Sequence, residues 1–245
     1  MKLIINGAGG RMGRVLLDTI DADPRFELAA AIDNRFTKDG HGQYARIEDF
    51  RGNADCIIDF SHHTATPALS RYAASRRIPL VIATTGQTPD ELAVVRECSR
   101  FVPILISGNM SVGIATLVDL VKRAVRVFPD ADVEIIETHH NQKLDVPSGT
   151  ALMIAEGVRT VRREATFNIG RHENGRRHPD EIGIHSVRMG NIIGEHEVRI
   201  CTGNQTLTLK HTAHSRALFA DGALSAALFV ADKVPGIYAI EDMFR

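Results

Sequence analysis

The chemically densest stretch of this 245-residue sequence is Glu137-Thr138-His139-His140-Asn141-Gln142-Lys143-Leu144-Asp145-Val146-Pro147-Ser148-Gly149-Thr150-Ala151. A histidine exchanges a proton near neutral pH, so His139 or His140 could serve as a general acid. Lys143 could pair with an anionic substrate or donate a proton. Ser148, Gly149 and Thr150 stand where a helix should start, and their N–H groups and hydroxyls would form a carboxylate site. Neighbouring residues on a strand face opposite sides. If the strand runs through both histidines, only one reaches a given substrate atom. A lone histidine is usually structural, and a lone loop lysine is usually solvated. Two histidines, a lysine and an anion-binding helix start within twelve residues shift the weight toward catalysis. Zinc is a second alternative, but no cysteine or acidic partner stands at metal spacing, so no metal is expected.

A second chemistry lies in Gly7-Ala8-Gly9-Gly10-Arg11-Met12-Gly13, between an apolar run and a helix-like segment. Glycines at 7, 10 and 13 allow a tight turn, close approach of backbone to a pyrophosphate, and close helix–strand packing. Asp33 stands 20 residues beyond Gly13, where a carboxylate would take the adenine-ribose hydroxyls. An ordinary glycine turn and a turn aspartate are the competing readings. Strand, loop, helix, strand and terminal acid in that order favour a dinucleotide. Arg35 could hold a 2′-phosphate while Asp33 repels one, so NADH and NADPH both remain open. Ala83-Thr84-Thr85-Gly86 and Ser107-Gly108-Asn109-Met110-Ser111 each follow an apolar run, at strand ends where such sheets bind ligands. Loop chemistry alone would also favour those residues.

The elements that must position these groups can be read in order. Leu3–Asn6, Leu28–Ile32, Cys56–Phe60, Leu80–Ala83 and Ile104–Ser107 are short and apolar on both faces, as strands of a covered parallel sheet should be. Helices are expected over Arg14–Ile20 and Thr64–Ser75, and another from Thr88-Pro89-Asp90-Glu91, a capping box with proline at the first helical position. Val112–Val127 reads as a long helix and Val133–Thr138 as a strand, with a second helix beginning near Ser148–Thr150. Ile184–Arg188, Glu197–Ile200 and Thr206–Lys210 alternate like antiparallel strands, with Gly203-Asn204 as the last turn. Ser215–Ala231 reads as a final helix. The expectation is an α/β protein: a Rossmann-type doubly wound parallel sheet over 1–107, to which 217–245 returns, and a second α+β domain on a mixed sheet over 108–216.

Bulk properties narrow the partners. Hydrophobic residues make up 44% and charged residues 24%, enough for two small cores. The 29 basic and 30 acidic residues nearly cancel, and there is no tryptophan. Both argue against nucleic acid. The basic run Arg171 to His178 reads as a solvated loop. No apolar stretch approaches the ~20 residues of a membrane span. With no signal-peptide core and three scattered cysteines, Cys56, Cys98 and Cys201, the cytoplasm is the expected location.

The whole chain resembles the 4-hydroxy-tetrahydrodipicolinate reductase family, also called dihydrodipicolinate reductase, of diaminopimelate and lysine biosynthesis. The glycine string at 7–13 carries the resemblance, with Asp59-Phe60-Ser61 and Thr84-Thr85-Gly86. So, above all, does Glu137-x-His139-His140-x-x-Lys143-x-Asp145-x-Pro147-Ser148-Gly149-Thr150-Ala151. Arg188-x-Gly190, Gly194-Glu195-His196 and His211-x-x-x-Ser215-Arg216-x-x-Phe219-Ala220-x-Gly222-Ala223 fit as well. The resemblance implies that His139 donates the proton with Lys143 as its catalytic partner. It implies that His140, Gly149 and Thr150 contact a cyclic dicarboxylate. Gly7 through Met12, Asp33, Ala83 to Thr85 and Ser107 to Met110 would contact the cofactor, and the second domain's sheet would join a homotetramer. Three positions depart from the family pattern. Asp33 stands for the usual glutamate, Met110 for an aromatic, and a glutamate near Asn204–Gln205 is replaced. Two rivals share parts of the pattern: another NAD(P)-dependent amino-acid or semialdehyde dehydrogenase, and a non-catalytic dinucleotide-sensing module.

Overall fold

Strand β1 (Lys2–Asn6) carries Leu3, Ile4 and Ile5, all inaccessible to solvent. A strand apolar on both faces must be covered on both, which is the situation inside a parallel sheet. The computed structural model describes residues 1–37 and 42–244. It divides into two units, Met1–Ser111 with Arg216–Arg245, and Val112–Ser215.

In the first unit β1 leads through the glycine loop into α1 (Arg11–Ala22), then β2 (Glu27–Ile32), β3 (Gln43–Tyr44), β4 (Cys56–Asp59), α2 (Thr66–Arg76), β5 (Leu80–Ile82), α3 (Pro89–Cys98) and β6 (Pro103–Ile106). Alternate strand residues feed two cores. Leu3, Ile5, Cys56, Ile58, Val81 and Leu105 pack against Leu16 and Ile20 of α1. Ile4, Ile57, Leu80, Ile82 and Ile104 pack against Leu69 and Tyr72 of α2 and Val95 of α3. Each such side chain contributes about 1.5–3 kcal/mol by leaving water. The capping box opening α3 is present. The Thr88 hydroxyl accepts from the Glu91 N–H (3.2 Å), and the Glu91 carboxylate accepts from the Thr88 N–H (2.8 Å).

The second unit opens with α4 (Val112–Val127), followed by β7 (Asp132–His139), α5 (Gly149–Arg159), β8 (Thr166–Ile169), β9 (Glu181–Arg188), β10 (Gly194–Thr202) and β11 (Gln205–Ala213). Its sheet has the order β11-β10-β7-β9-β8. Ile114, Val118 and Val121 of α4 and Ile154 and Val158 of α5 cover one face, against Val133, Ile135, Ile184, Val198 and Ile200. The hairpin β10–β11 turns at Gly203-Asn204, with Thr202 paired to Gln205. The chain then re-enters the first unit through α6 (Ala217–Ala231) and β12 (Gly236–Tyr238). Ala220, Ala223, Ala227 and Val230 of α6 join the core that holds Leu16 and Leu105. The first sheet is parallel throughout, in the order β12-β6-β5-β4-β1-β2-β3.

Three expectations need correction. The segment 184–188 lies in a strand parallel to β7, not in an antiparallel run with β10. Its partner precedes α5, and a strand–helix–strand crossover yields parallel pairing. The helix expected over 64–75 opens as a 3₁₀ turn, His63–Ala65, before Thr66. The basic run 171–178 is not wholly solvated. Arg171 pairs with Glu181, and Arg177 pairs with Asp132, Glu134 and Glu181, because the buried Glu181 carboxylate must be compensated.

Candidate functional site

The glycine loop turns as its spacing requires. Gly7 has φ +80°, and a Cβ there would lie 2.5 Å from the Phe60 carbonyl oxygen. A Cβ on Gly13 would lie 2.2 Å from the Gly7 carbonyl oxygen, so α1 can start against the loop only with glycine at 13. The Gly7 and Ala8 N–H groups donate to the Ile32 carbonyl at 2.9 and 3.0 Å, which ties the loop to the end of β2. Gly10 is the N-cap of α1 and brings no side chain to it, so the first-turn N–H groups are left to an anion. This bare cradle fits a pyrophosphate.

Asp33 follows β2 directly, beside that cradle. Its carboxylate accepts from Arg35 through Nε (2.7 Å) and a terminal nitrogen (2.8 Å), and from the Gly9 N–H (3.0 Å). The Arg35 side-chain hydrogen bond, followed by those of the Arg35 and Gly9 backbone N–H groups, outweighs burial and lowers Asp33 to about 2. The carboxylate is therefore an anion ready to accept hydroxyl donors. Asn6, Gly7, Gly10, Asp33, Arg35 and Ser61 are among the residues lining a cleft of about 450 Å³ here.

The other strand ends meet beside it. Asp59, fully buried at the end of β4, accepts from Asn6 Nδ2 (2.8 Å) and the Ser61 hydroxyl (2.5 Å), and the Thr84 hydroxyl accepts from the Ser61 N–H (2.9 Å). Burial pushes the Asp59 carboxyl up, and its Oδ2 has no hydrogen-bond partner among the described residues. Thr85 and Gly108 are neighbours, a Cβ on Gly108 lying 3.5 Å from Thr85 Cγ2. The Ser107 hydroxyl donates to the Asn109 carbonyl (2.8 Å), and the Asn109 side chain accepts from the Ser111 N–H (2.8 Å). Met110 is 2% exposed: its side chain sits in the α6 core and its carbonyl oxygen lies against Gly222. Ala8 is core in the same way, while Arg11 and Thr85 are exposed.

In the second unit, β7 alternates inward Val133, Ile135, Glu137 and His139 with half-buried residues between. His139 is therefore buried and His140, just past the strand, half-buried. The pivot is Glu137, inaccessible to solvent. It accepts from His139 Nδ1 (2.6 Å), from both terminal nitrogens of Arg188 on β9 (2.8 Å each), and from the Ser148 N–H (3.1 Å). Burial raises its pKa, but His139 and Arg188, with Ser186 and the Ser148 N–H after them, outweigh burial and hold it well below the usual carboxylate range. The Ser148 hydroxyl caps α5 by accepting from the Ala151 N–H (3.2 Å) and lies 3.1 Å from His196 Nε2. Burial, then the neighbouring His139, pushes His196 down to about 3, so it is a neutral ring. The two imidazoles meet edge to face at 5.2 Å. Lys143 is half-buried with Nζ 2.8 Å from Asp145, whose backbone carbonyl accepts from Arg188 (2.7 Å). Gly149 is exposed with open space around it, and Thr150 is half-buried beside it.

His139, Ser148 and the start of α5 thus converge through Glu137, while Lys143 joins them through Asp145 and Arg188. Glu137, Arg188, Gly194 and His196 were visible only as parts of longer strings with no role attached. Their signal was periodicity: Glu137 is two residues before His139, on the same face, and β10 brings Gly194 and His196 alongside. A Cβ on Gly194 would lie 3.0 Å from His139 Nε2. Among the described residues, no group of three or more His, Cys, Asp or Glu could hold a metal ion. Among the same residues, no helix is long and apolar enough to cross a membrane.

Comparison with known proteins covers nearly all of this chain. The family model "dihydrodipicolinate reductase, N-terminus" matches residues 1–110, and its C-terminal counterpart matches 113–244. The 4-hydroxy-tetrahydrodipicolinate reductase of Caldanaerobacter subterraneus subsp. tengcongensis is 45% identical over 250 residues, covering 100% of this chain and 98% of that one. The Rickettsia bellii protein of the same name is 39% identical over 242 residues, covering 98% and 93%. Among solved structures, the dipicolinate-bound dihydrodipicolinate reductase from Paenisporosarcina sp. TG-14 superposes with a TM-score of 0.83 at 23% identity, covering 99% of this chain and 98% of that one, a likeness of fold.

Proposed function

The chain belongs to the dihydrodipicolinate reductase family, and from that premise we infer that it is an NAD(P)H-dependent 4-hydroxy-tetrahydrodipicolinate reductase. It reduces a cyclic imine dicarboxylate to tetrahydrodipicolinate, a step of lysine and diaminopimelate biosynthesis. The observation that carries this reading is the buried His139–Glu137 pair beside a capped helix start. The first unit is the dinucleotide-binding domain. Gly7 through Met12, Asp33, Arg35, Ala83 to Thr85 and Ser107 to Met110 hold the cofactor. Bound there, NADH or NADPH supplies the hydride. The second unit is the substrate domain. Lys143 and the Gly149 and Thr150 groups at the start of α5 neutralise the substrate carboxylates, with His140 as a further contact, while Ser148 serves the substrate by fixing that helix start through Glu137 and its cap. His139 delivers the proton.

The same reading makes the protein a cytoplasmic homotetramer. Three free cysteines suit a reducing compartment. Only one face of the second sheet carries helices α4 and α5, and the other presents Ile136, Thr138 and Val187 to a second copy. Loss of reduced-nicotinamide absorbance should require the cyclic imine substrate. Oxidation that ignores that substrate, or favours an amino acid, would point to the dehydrogenase rival. Sedimentation velocity checks the tetramer.

A further inference from the structure

A histidine that donates a proton must keep one ring N–H and release the other, and its neighbours decide which. Glu137 is fully buried and its two oxygens carry four hydrogen bonds. Oε2 accepts from His139 Nδ1 (2.6 Å) and Arg188 (2.8 Å), and Oε1 accepts from Arg188 (2.8 Å) and the Ser148 N–H (3.1 Å). An ionised carboxylate offers about four acceptor positions and no donor. All four are engaged here. The Arg188 and Ser148 groups can only donate, which keeps Glu137 ionised.

We propose that Glu137 is a positioning residue that holds the fixed proton of His139 on Nδ1, so that Nε2 alone releases and regains a proton. This rests on the reading of His139 as the proton donor. The opposite side of the ring agrees with it. Nε2 faces Gly194, where a Cβ would stand only 3.0 Å away, so glycine leaves room at the nitrogen that must meet substrate. Arg188 already balances the buried negative charge, so His139 can give up its Nε2 proton without leaving an uncompensated anion. From β9, Ser186 stands opposite Glu137. His196 faces it from β10 and is neutral, with His211 beyond it on β11. Lys143 and Asp145 approach from the loop as a closed ion pair. Ser148 stands at the start of α5, already spent on capping. None of these competes for Nδ1. The Ser148 N–H and the Asp145 carbonyl tie the carboxylate and its arginine to the 140–148 loop. The same group that sets the tautomer therefore also sets the loop bearing Lys143.

The tautomer is measurable without any substitution at Glu137. In protein with ¹⁵N-labelled imidazoles, His139 is assigned by the resonances lost in His139→Gln. Its neutral form should show a protonated Nδ1 and a bare Nε2. A neutral form protonated on Nε2 overturns the proposal. Glu137→Gln supplies a second reading. NADH binding should survive and substrate KM should change only a few-fold. Turnover should fall at least tenfold, toward the ~10²–10⁴ that a positioned acid is worth. The alkaline limb of the kcat profile should move down by about one unit, since a partner charge has gone. Glu137→Asp, which keeps the charge, should restore the limb. A Glu137→Gln enzyme whose limb stays put, or whose loss lies wholly in KM, reduces Glu137 to a structural role. If Glu137→Gln fails to fold, the NMR result decides alone. A fully active His139→Gln defeats the reading of His139 as donor. An inactive His139→Gln with a protonated Nε2 defeats only the role given to Glu137.

Discussion

Acid should loosen this protein through His196, by an amount that its position sets. The ring faces inward from β10, 4% exposed, with Nε2 3.1 Å from the Ser148 hydroxyl. Burial, then His139, carries it from an ordinary value of 6.5 down to about 3. Between those values the unfolded chain binds a proton that the folded chain refuses. The stabilisation is complete above 6.5 and declines as pH falls toward 3. Each unit is worth about 1.4 kcal/mol. At about pH 4.5 the loss is therefore about 2–3 kcal/mol, a large share of a net stability on the order of 5–15 kcal/mol. His196→Gln places an amide nitrogen near the position of Nε2 and removes the titration. Urea unfolding of both proteins at about pH 7.5 and pH 4.5 compares the two slopes, and carboxylates common to both cancel. The unsubstituted protein should lose about 2–3 kcal/mol more than the variant across that interval. Equal losses would mean that the ring is not held neutral, and would refute the reasoning.

Gly13→Ala would drive a Cβ to 2.2 Å from the Gly7 carbonyl oxygen. It should cost about 1–3 kcal/mol and weaken NADH binding at least tenfold by calorimetry; unchanged affinity would show that the loop does not hold the dinucleotide. Arg35→Ala frees Asp33 from its ion pair and should raise the KM for NADPH more than for NADH, while equal losses would remove Arg35 from cofactor discrimination. His139→Ala should lower kcat by about 10²–10⁴ with little change in substrate KM. Lys143→Ala should lower kcat and raise that KM together; near-normal rates in Lys143→Ala would take the 137–151 segment out of catalysis. Ser148→Ala removes the cap of α5 and should cost about 1 kcal/mol in urea unfolding.

Much of this architecture could be read because its signals are local. A capping box is four residues long, and Thr88 to Glu91 form it as written. Apolar runs such as Leu3–Ile5 are short and buried on both faces, so their length and bounds betray them. What escaped depends on pairing across the chain. Strand β3 has two residues and β12 three, too few for a period to show. The parallel partnership of β7 with β9 joins segments some fifty positions apart, and nothing in 184–188 alone distinguishes it from an antiparallel run. The site followed the same division. His139, Lys143 and Ser148 could be picked out by residue type and crowding. Arg188 and His196 could not, because they reach Glu137 and Ser148 from separate strands. The burial of Met110 was not legible either, because the α6 residues that enclose it lie about 110 positions further along the chain.

The re-entry of α6 and β12 into the first unit has a consequence for how the protein is made. Synthesis delivers β1 through β6 early, but Leu16, Val81 and Leu105 stay without their α6 neighbours, and the β6 edge stays bare, until the second unit has been completed. The nascent first unit must wait, partly unsealed, while an entire second core forms downstream. A ribosome stalled within 112–215 therefore holds a chain with an exposed apolar face and an open strand edge, the features that chaperones bind and that neighbouring nascent chains can pair with.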